Sequence, residues 1–136
     1  MASLTAFVAR SFDPGVEQRI RPILEFLTTY RKAGFFCETA EPAEVESVSK
    51  KVQRLISEKD VFIGFFTRQY PLYSFTPKLS SAFRVLCGDL EPQGWGTVPW
   101  VLQESGYAIA ARRRLILLRE AGVEIPSLQG RVARLA

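Results

Sequence analysis

Apolar positions along this chain switch between strand-like runs and helical spacing. Residues 4–9 (Leu-Thr-Ala-Phe-Val-Ala) read as a short strand, broken by Asp13-Pro14-Gly15. Over residues 16–32, Ile20, Ile23, Leu24, Leu27 and Tyr30 recur at helical spacing. Pro22 inside that pattern predicts a kink or a later start, and Gly34 ends it. Residues 35–39 predict a second strand. An acidic connection over 40–47, with Pro42, leads to a helix at 48–57 whose Val48, Val52, Leu55 and Ile56 face inward. Residues 60–67 (Asp-Val-Phe-Ile-Gly-Phe-Phe-Thr) are apolar without alternation, the pattern of a central parallel strand covered on both faces. The stretch 68–99 is rich in proline and glycine and reads as irregular, with a short helix over 78–86; connections of that length are usually functional. A helix over 99–111 with Pro99 in its first turn, a strand at 115–119, a loop at 122–130 and the beginning of a fifth strand within 131–136 complete the order.

Strand and helix alternate throughout, which predicts a three-layer α/β domain built on a four- to five-stranded parallel sheet. A length of 136 residues fits one domain, and 47% apolar residues fit a packed core. The chain stops in the apolar-alternating segment Val132-Ala133-Arg134-Leu135-Ala136, which reads as the edge of a domain, residues 1–136, at the N-terminal part of a longer protein. No apolar run approaches the ~20 residues of a membrane helix. The N-terminus lacks the basic and long apolar regions of a signal peptide, so a cytoplasmic protein without membrane partners is expected. Cys37 and Cys87 read as free, buried thiols of a reducing compartment.

The chain contains no histidine, which removes the commonest general base and metal ligand. Zinc chemistry and Ser-His or Cys-His hydrolysis are thereby disfavoured, and no metal or cofactor is expected. Net charge is +4, with Arg112-Arg113-Arg114 the densest cluster. Without interleaved aromatic residues it reads as a solvated helix end rather than a nucleic-acid surface.

Among the remaining residues Glu104 is the best placed to do chemistry. It follows Trp100 by one helical turn, early in the helix after the long loop. In an open parallel sheet ligands bind beyond the carboxyl ends of the strands, and this helix begins at that edge. The same edge gathers Arg10, Ser11, Phe12 and Asp13 after the first strand, and Tyr70, Tyr73 and Trp95 from the long loop. Each has a plainer reading. On those readings Glu104 complements the helix dipole, Trp100 is a packing residue, and Asp13 is a turn residue before Pro-Gly. Gly106 and Ala108 read as allowing close packing of the helix on the sheet.

Trp100-x-x-x-Glu104, preceded by Ser57-Glu58-Lys59-Asp60-Val61-Phe62-Ile63-Gly64, resembles the Trp-x-x-x-Glu pattern of Toll/interleukin-1 receptor (TIR) domains, over residues 7 to about 118. The resemblance implies a flavodoxin-like α/β fold and NAD+ glycohydrolase activity, with NAD+ as substrate and Glu104 as the catalytic carboxylate. Arg10, Ser11, Phe12, Asp13, Trp100, Tyr107 and Tyr70 would then be substrate-binding residues. It further implies an effector of immune or antiphage defence that is activated by self-association and fused to a sensing domain. Glu104-Ser105-Gly106-Tyr107-Ala108 also resembles the Glu-x-Gly-x-Ala helix of nucleoside 2-deoxyribosyltransferases, in which the glutamate attacks the anomeric carbon. A non-catalytic TIR-like signalling or nucleotide-binding module is the third expectation. Two departures from the TIR pattern stand out: the segment before Trp100 is longer than usual, and the first strand ends in Arg10-Ser11-Phe12-Asp13 rather than Ser-Tyr or Ser-Phe followed by Arg.

The chemistry of the leaving group separates the first two readings. Nicotinamide in NAD+ is cationic at its ring nitrogen and departs neutral, so one carboxylate can suffice. A neutral base needs a proton donor, for which Asp13 is the candidate.

Overall fold

The computed structural model describes residues 2–39, 45–73, 92–125 and 133–134. The helix expected over 78–86 and Cys87 lie outside the described residues. The elements run β1 (Leu4–Ala9), α1 (Pro14–Thr29), a 3-10 turn (Tyr30–Ala33), β2 (Phe35–Thr39), α2 (Val45–Glu58), β3 (Val61–Phe66), β4 (Tyr70–Leu72), β5 (Gly94–Gly96), α3 (Pro99–Ala110), β6 (Arg114–Arg119) and β7 (Ala133–Arg134).

The main sheet has the order β2-β1-β3-β6-β7, and every pairing in it is parallel. This is the doubly wound, flavodoxin-like arrangement expected from the alternation of elements. From β1 the chain steps outward to β2 on one side, and from β3 to β6 on the other. The winding direction therefore reverses between β1 and β3, and their carboxyl ends flank a crevice.

Side-chain alternation divides the core in two. Phe7, Ala9, Phe62, Phe66 and Leu117 pack with Val52, Leu55 and Ile56 of α2 and with Val101 and Ala108 of α3. Ala6, Val8, Val61, Ile63 and Phe65 pack with Ile20 of α1 on the opposite face. Every residue of β3 is buried, as its unbroken apolar run requires.

Asp13-Pro14-Gly15 does more than break β1. Asp13 caps α1, its Oδ1 accepting from the main-chain N–H groups of Gly15 at 2.9 Å and Val16 at 3.2 Å, and Pro14 opens the helix. The helix thus begins two residues before its apolar periodicity does. Pro22 lies within it, and Gly34, at φ 85°, closes the following turn. Tyr30, the last of the positions at helical spacing, is exposed and meets Phe26 edge-on. Helix α2 starts at Val45, earlier than its periodicity suggested. Cys37 is free, as expected, but half-buried rather than buried; the burial it has raises its thiol pKa.

The largest departure lies in the stretch read as irregular. Tyr70–Leu72 and Gly94–Gly96 form a two-stranded antiparallel ribbon. It is fastened to the loop after β6 through Trp95, whose N–H donates to Gly122 O at 2.8 Å and whose oxygen accepts from Glu124 N at 2.9 Å. The Tyr70 ring lies over Gly96, where any Cβ would overlap it.

Gly106 does not serve the close packing expected of it: it is exposed, and a Cβ there would meet nothing within 4 Å. Close approach occurs instead at Gly64 of β3, where a Cβ would stand 3.4 Å from Ser105 Oγ of α3. Ala108 is fully buried at the same interface, as expected.

Candidate active site

Helix α3 follows β5 after only Thr97 and Val98, and Pro99 sets its first turn. Val101, Ser105 and Ala108 face the sheet. Trp100 and Glu104, four residues apart, share a flank of the helix one turn from each other. The indole Nε1 of Trp100 donates to the main-chain oxygen of Arg10 at 3.1 Å. That bond ties the start of α3 to the residue leaving β1, beside the crevice where the winding reverses.

Glu104 is half-buried, and burial pushes its carboxyl up from 4.5 to about 7. No hydrogen bond or ion pair to it occurs among the described residues. The dipole reading fares poorly, because Glu104 is the sixth residue of α3 and the first turn carries no acid. Dipole stabilisation fades beyond that turn. A carboxyl buried without a partner costs folding energy, and such groups concentrate at functional sites.

The residues after β1 meet the start of α3 at the Trp100–Arg10 bond. Arg10 lies over the Phe12 ring at 5.2 Å and pairs with Glu17 at 3.6 Å, while its Nε is buried without a partner among the described residues. Ser11 is fully buried; its hydroxyl accepts from Asp13 N at 3.2 Å and donates to Gln69 Oε1 at 3.1 Å. Asp13 uses Oδ1 to cap α1, so that oxygen is already committed. Tyr107 is half-buried three residues beyond Glu104 and packs against the α2–α3 core. Tyr70 is exposed, with its ring on Gly96 of the ribbon. The structure therefore joins the Arg10–Asp13 stretch directly to Trp100 and sets Glu104 one turn away, while Tyr70 is engaged within the ribbon.

Several residues at this edge escaped the sequence reading. Thr67 and Thr97 are buried, and their hydroxyls have no partner among the described residues. Glu120 gathers three segments: it accepts from Arg68 N at 2.6 Å and from Arg19 Nε at 2.9 Å, while Arg19 Nη2 donates to Arg68 O at 3.1 Å. Arg68 Nε donates to Ala121 O at 2.7 Å, and its guanidinium lies over Trp95 at 5.8 Å. Only Thr67, a polar residue ending an apolar run, carried a visible signal. A cavity of about 320 Å³ lined by Gln93, Arg119, Ala121, Gly122, Val123 and Glu124 opens beside the ribbon and does not include Glu104.

The arginine cluster lies at the other end of the sheet. Arg113 donates to Ala111 O at 3.0 Å and to Lys59 O at 3.3 Å, closing the end of α3 as a basic helix terminus would. Among the described residues no group of three His, Cys, Asp or Glu side chains is placed to hold a metal ion. No helix among them is long and apolar enough to cross a membrane.

No family model matches the chain, and no curated protein matches it. Among solved structures it is similar to the CMP N-glycosidase BcmB of Clostridium botulinum, with a TM-score of 0.57 and 18% identity over 96% of this chain and 87% of that one. At that identity the likeness establishes the fold.

Proposed function

We propose that the protein cleaves the N-glycosidic bond of a nucleotide, with Glu104 acting at the anomeric carbon. The observation that carries this reading is the half-buried Glu104 carboxyl, without a partner among the described residues and pushed up to about 7, on the flank of α3 that Trp100 ties to the end of β1. The fold shared with a CMP N-glycosidase supports the same bond class.

NAD+ is the substrate favoured here. The C1′–N bond breaks with its electron pair passing to the nicotinamide nitrogen, which leaves neutral. The Glu104 carboxylate stabilises the oxocarbenium-like carbon, and water adds at C1′ and gives up a proton. The commitment of Asp13 Oδ1 to the helix cap favours a leaving group that needs no separate acid. The solved neighbour supports a second reading, a pyrimidine nucleoside monophosphate, in which protonated Glu104 would supply the proton to the departing base. In keeping with the TIR resemblance, the domain works as a defence effector whose activity rises on self-association.

Dilute and artificially clustered protein should be incubated with NAD+, CMP and deoxynucleosides, comparing wild type with Glu104→Gln. Nicotinamide release lost in the variant supports the first reading, and cytosine release from CMP the second. Base release from deoxynucleosides would point to a deoxyribosyltransferase-like enzyme. No turnover of any substrate, even when clustered, would overturn the enzymatic proposal and leave a non-catalytic module.

A further inference from the structure

The crevice between the carboxyl ends of β1 and β3 is bridged by a side-chain bond from Ser11 Oγ on the β1 side to Gln69 Oε1 on the β3 side, at 3.1 Å. Gln69 is exposed, and an exposed glutamine ordinarily keeps its rotamer freedom. Here it is held from several directions. Its own N–H donates to Gly96 O at 2.9 Å, and the preceding residue, Arg68, is fixed through its N–H to Glu120 and its oxygen to Arg19. The serine that holds its side chain is fully buried and anchored in turn by Asp13 N. Rigid support of this kind is what a ligand-reading group requires.

Ser11 uses its proton toward Gln69, which places the carboxamide oxygen inward and leaves the amide nitrogen as the free end. Among the described residues no hydrogen bond is made by that nitrogen. The stretch that holds Gln69 is continuous with the site: Ser11 follows Arg10, whose oxygen receives the Trp100 indole one turn from Glu104.

We propose that Gln69 is a specificity-determining residue, whose free amide N–H donors select a ligand with a carbonyl oxygen on its departing base. The inference rests on the N-glycosidase reading for the identity of that base. Cytosine, uracil and nicotinamide carry an exocyclic carbonyl oxygen, whereas adenine offers only ring nitrogens as acceptors, so donors held in one orientation by the Ser11 bond distinguish the two classes by where the acceptor lies. A donor already held in one orientation pairs with a carbonyl oxygen at little further cost in rotamer freedom, which favours the ligand that places its acceptor there.

The test is Gln69→Glu. A glutamate still accepts the Ser11 hydroxyl, so a purely structural role is preserved, while the donors are deleted. Binding of CMP, UMP, NAD+ and AMP is measured by calorimetry, alongside turnover of each, for wild type and variant. The expected result is an unchanged melting temperature and at least a tenfold fall in the ratio of affinity for the tightest carbonyl-bearing ligand to that for AMP. The same fall should appear in kcat/KM wherever turnover occurs. An unchanged ratio, an equal loss for every ligand, or no binding of any of the four by wild type would overturn the inference. Binding without turnover would defeat the N-glycosidase reading alone, because the affinity ratio still reports on Gln69.

Discussion

The indole N–H of Trp100 reaches the main-chain oxygen of Arg10 at 3.1 Å, across 90 residues of sequence. That bond ties the start of the helix carrying Glu104 to the end of β1, beside the packing of Val101 and Ala108 on the sheet. Trp100 is 41% exposed, so the hydrogen bond adds to a partial burial at this contact.

Trp100→Phe keeps an aromatic ring and removes the donor. The expected stability loss is about 1 kcal/mol, the net worth of one such bond, read from a denaturant midpoint. Turnover should fall further than stability, since a loosened helix start displaces Glu104. Equal activity in the two proteins would show that the bond does not position the site.

Glu104→Gln is expected to abolish turnover and to stabilise the fold at high pH. Below 4.5 the glutamate is protonated in both folded and unfolded chains, so its raised pKa costs nothing there. Between 4.5 and about 7 the unfolded chain releases a proton that the folded chain retains, so wild-type stability falls as pH rises, and the loss is complete above 7. That loss is about 3 kcal/mol at most, from 1.36 kcal/mol per pKa unit. Unfolding at pH 8 and pH 4.5 checks it: the variant's advantage should be present at the first and absent at the second.

The pH dependence of kcat/KM separates the two substrate readings. If the Glu104 carboxylate stabilises a cationic centre, activity rises about tenfold per pH unit toward 7 and levels off above it. If protonated Glu104 supplies the leaving base with its proton, activity instead falls above 7. A profile flat from pH 5 to 9 would remove Glu104 from the chemistry.

Gly96→Ala should disrupt the β4–β5 ribbon, because the added methyl overlaps the Tyr70 ring. A destabilisation of about 1–3 kcal/mol is expected, typical of overpacking. Adding Tyr70→Ala should recover part of it, since the clash needs both side chains. Full additivity in this double-mutant cycle would place the strain elsewhere.

The centre of the parallel sheet was legible because a strand buried on both faces leaves an unbroken apolar run: residues 60–67 contain all of β3. The edge strand β2 coincides with residues 35–39 although none of its residues is fully buried. The ribbon was not legible. Its strands are three residues long and include Pro71, Gly94 and Gly96, too short and too glycine-rich to show any period, and they pair across a long interval of sequence. The start of α1 was misplaced for a local reason: Asp-Pro-Gly serves turns and helix caps alike, and only the Oδ1 bonds to Gly15 and Val16 decide between them.

By itself the sequence determined the order of the elements, the absence of histidine and the spacing of Trp100 and Glu104. Each is a property of neighbours along the chain, or of composition. The tertiary structure alone decided that Glu104 is half-buried with no partner among the described residues, that Trp100 meets Arg10, and that Ser11 holds Gln69 from 58 residues away. Desolvation and hydrogen bonding depend on what the fold brings alongside a residue, and residues so far apart in sequence meet only once β1 and β3 lie side by side in the sheet.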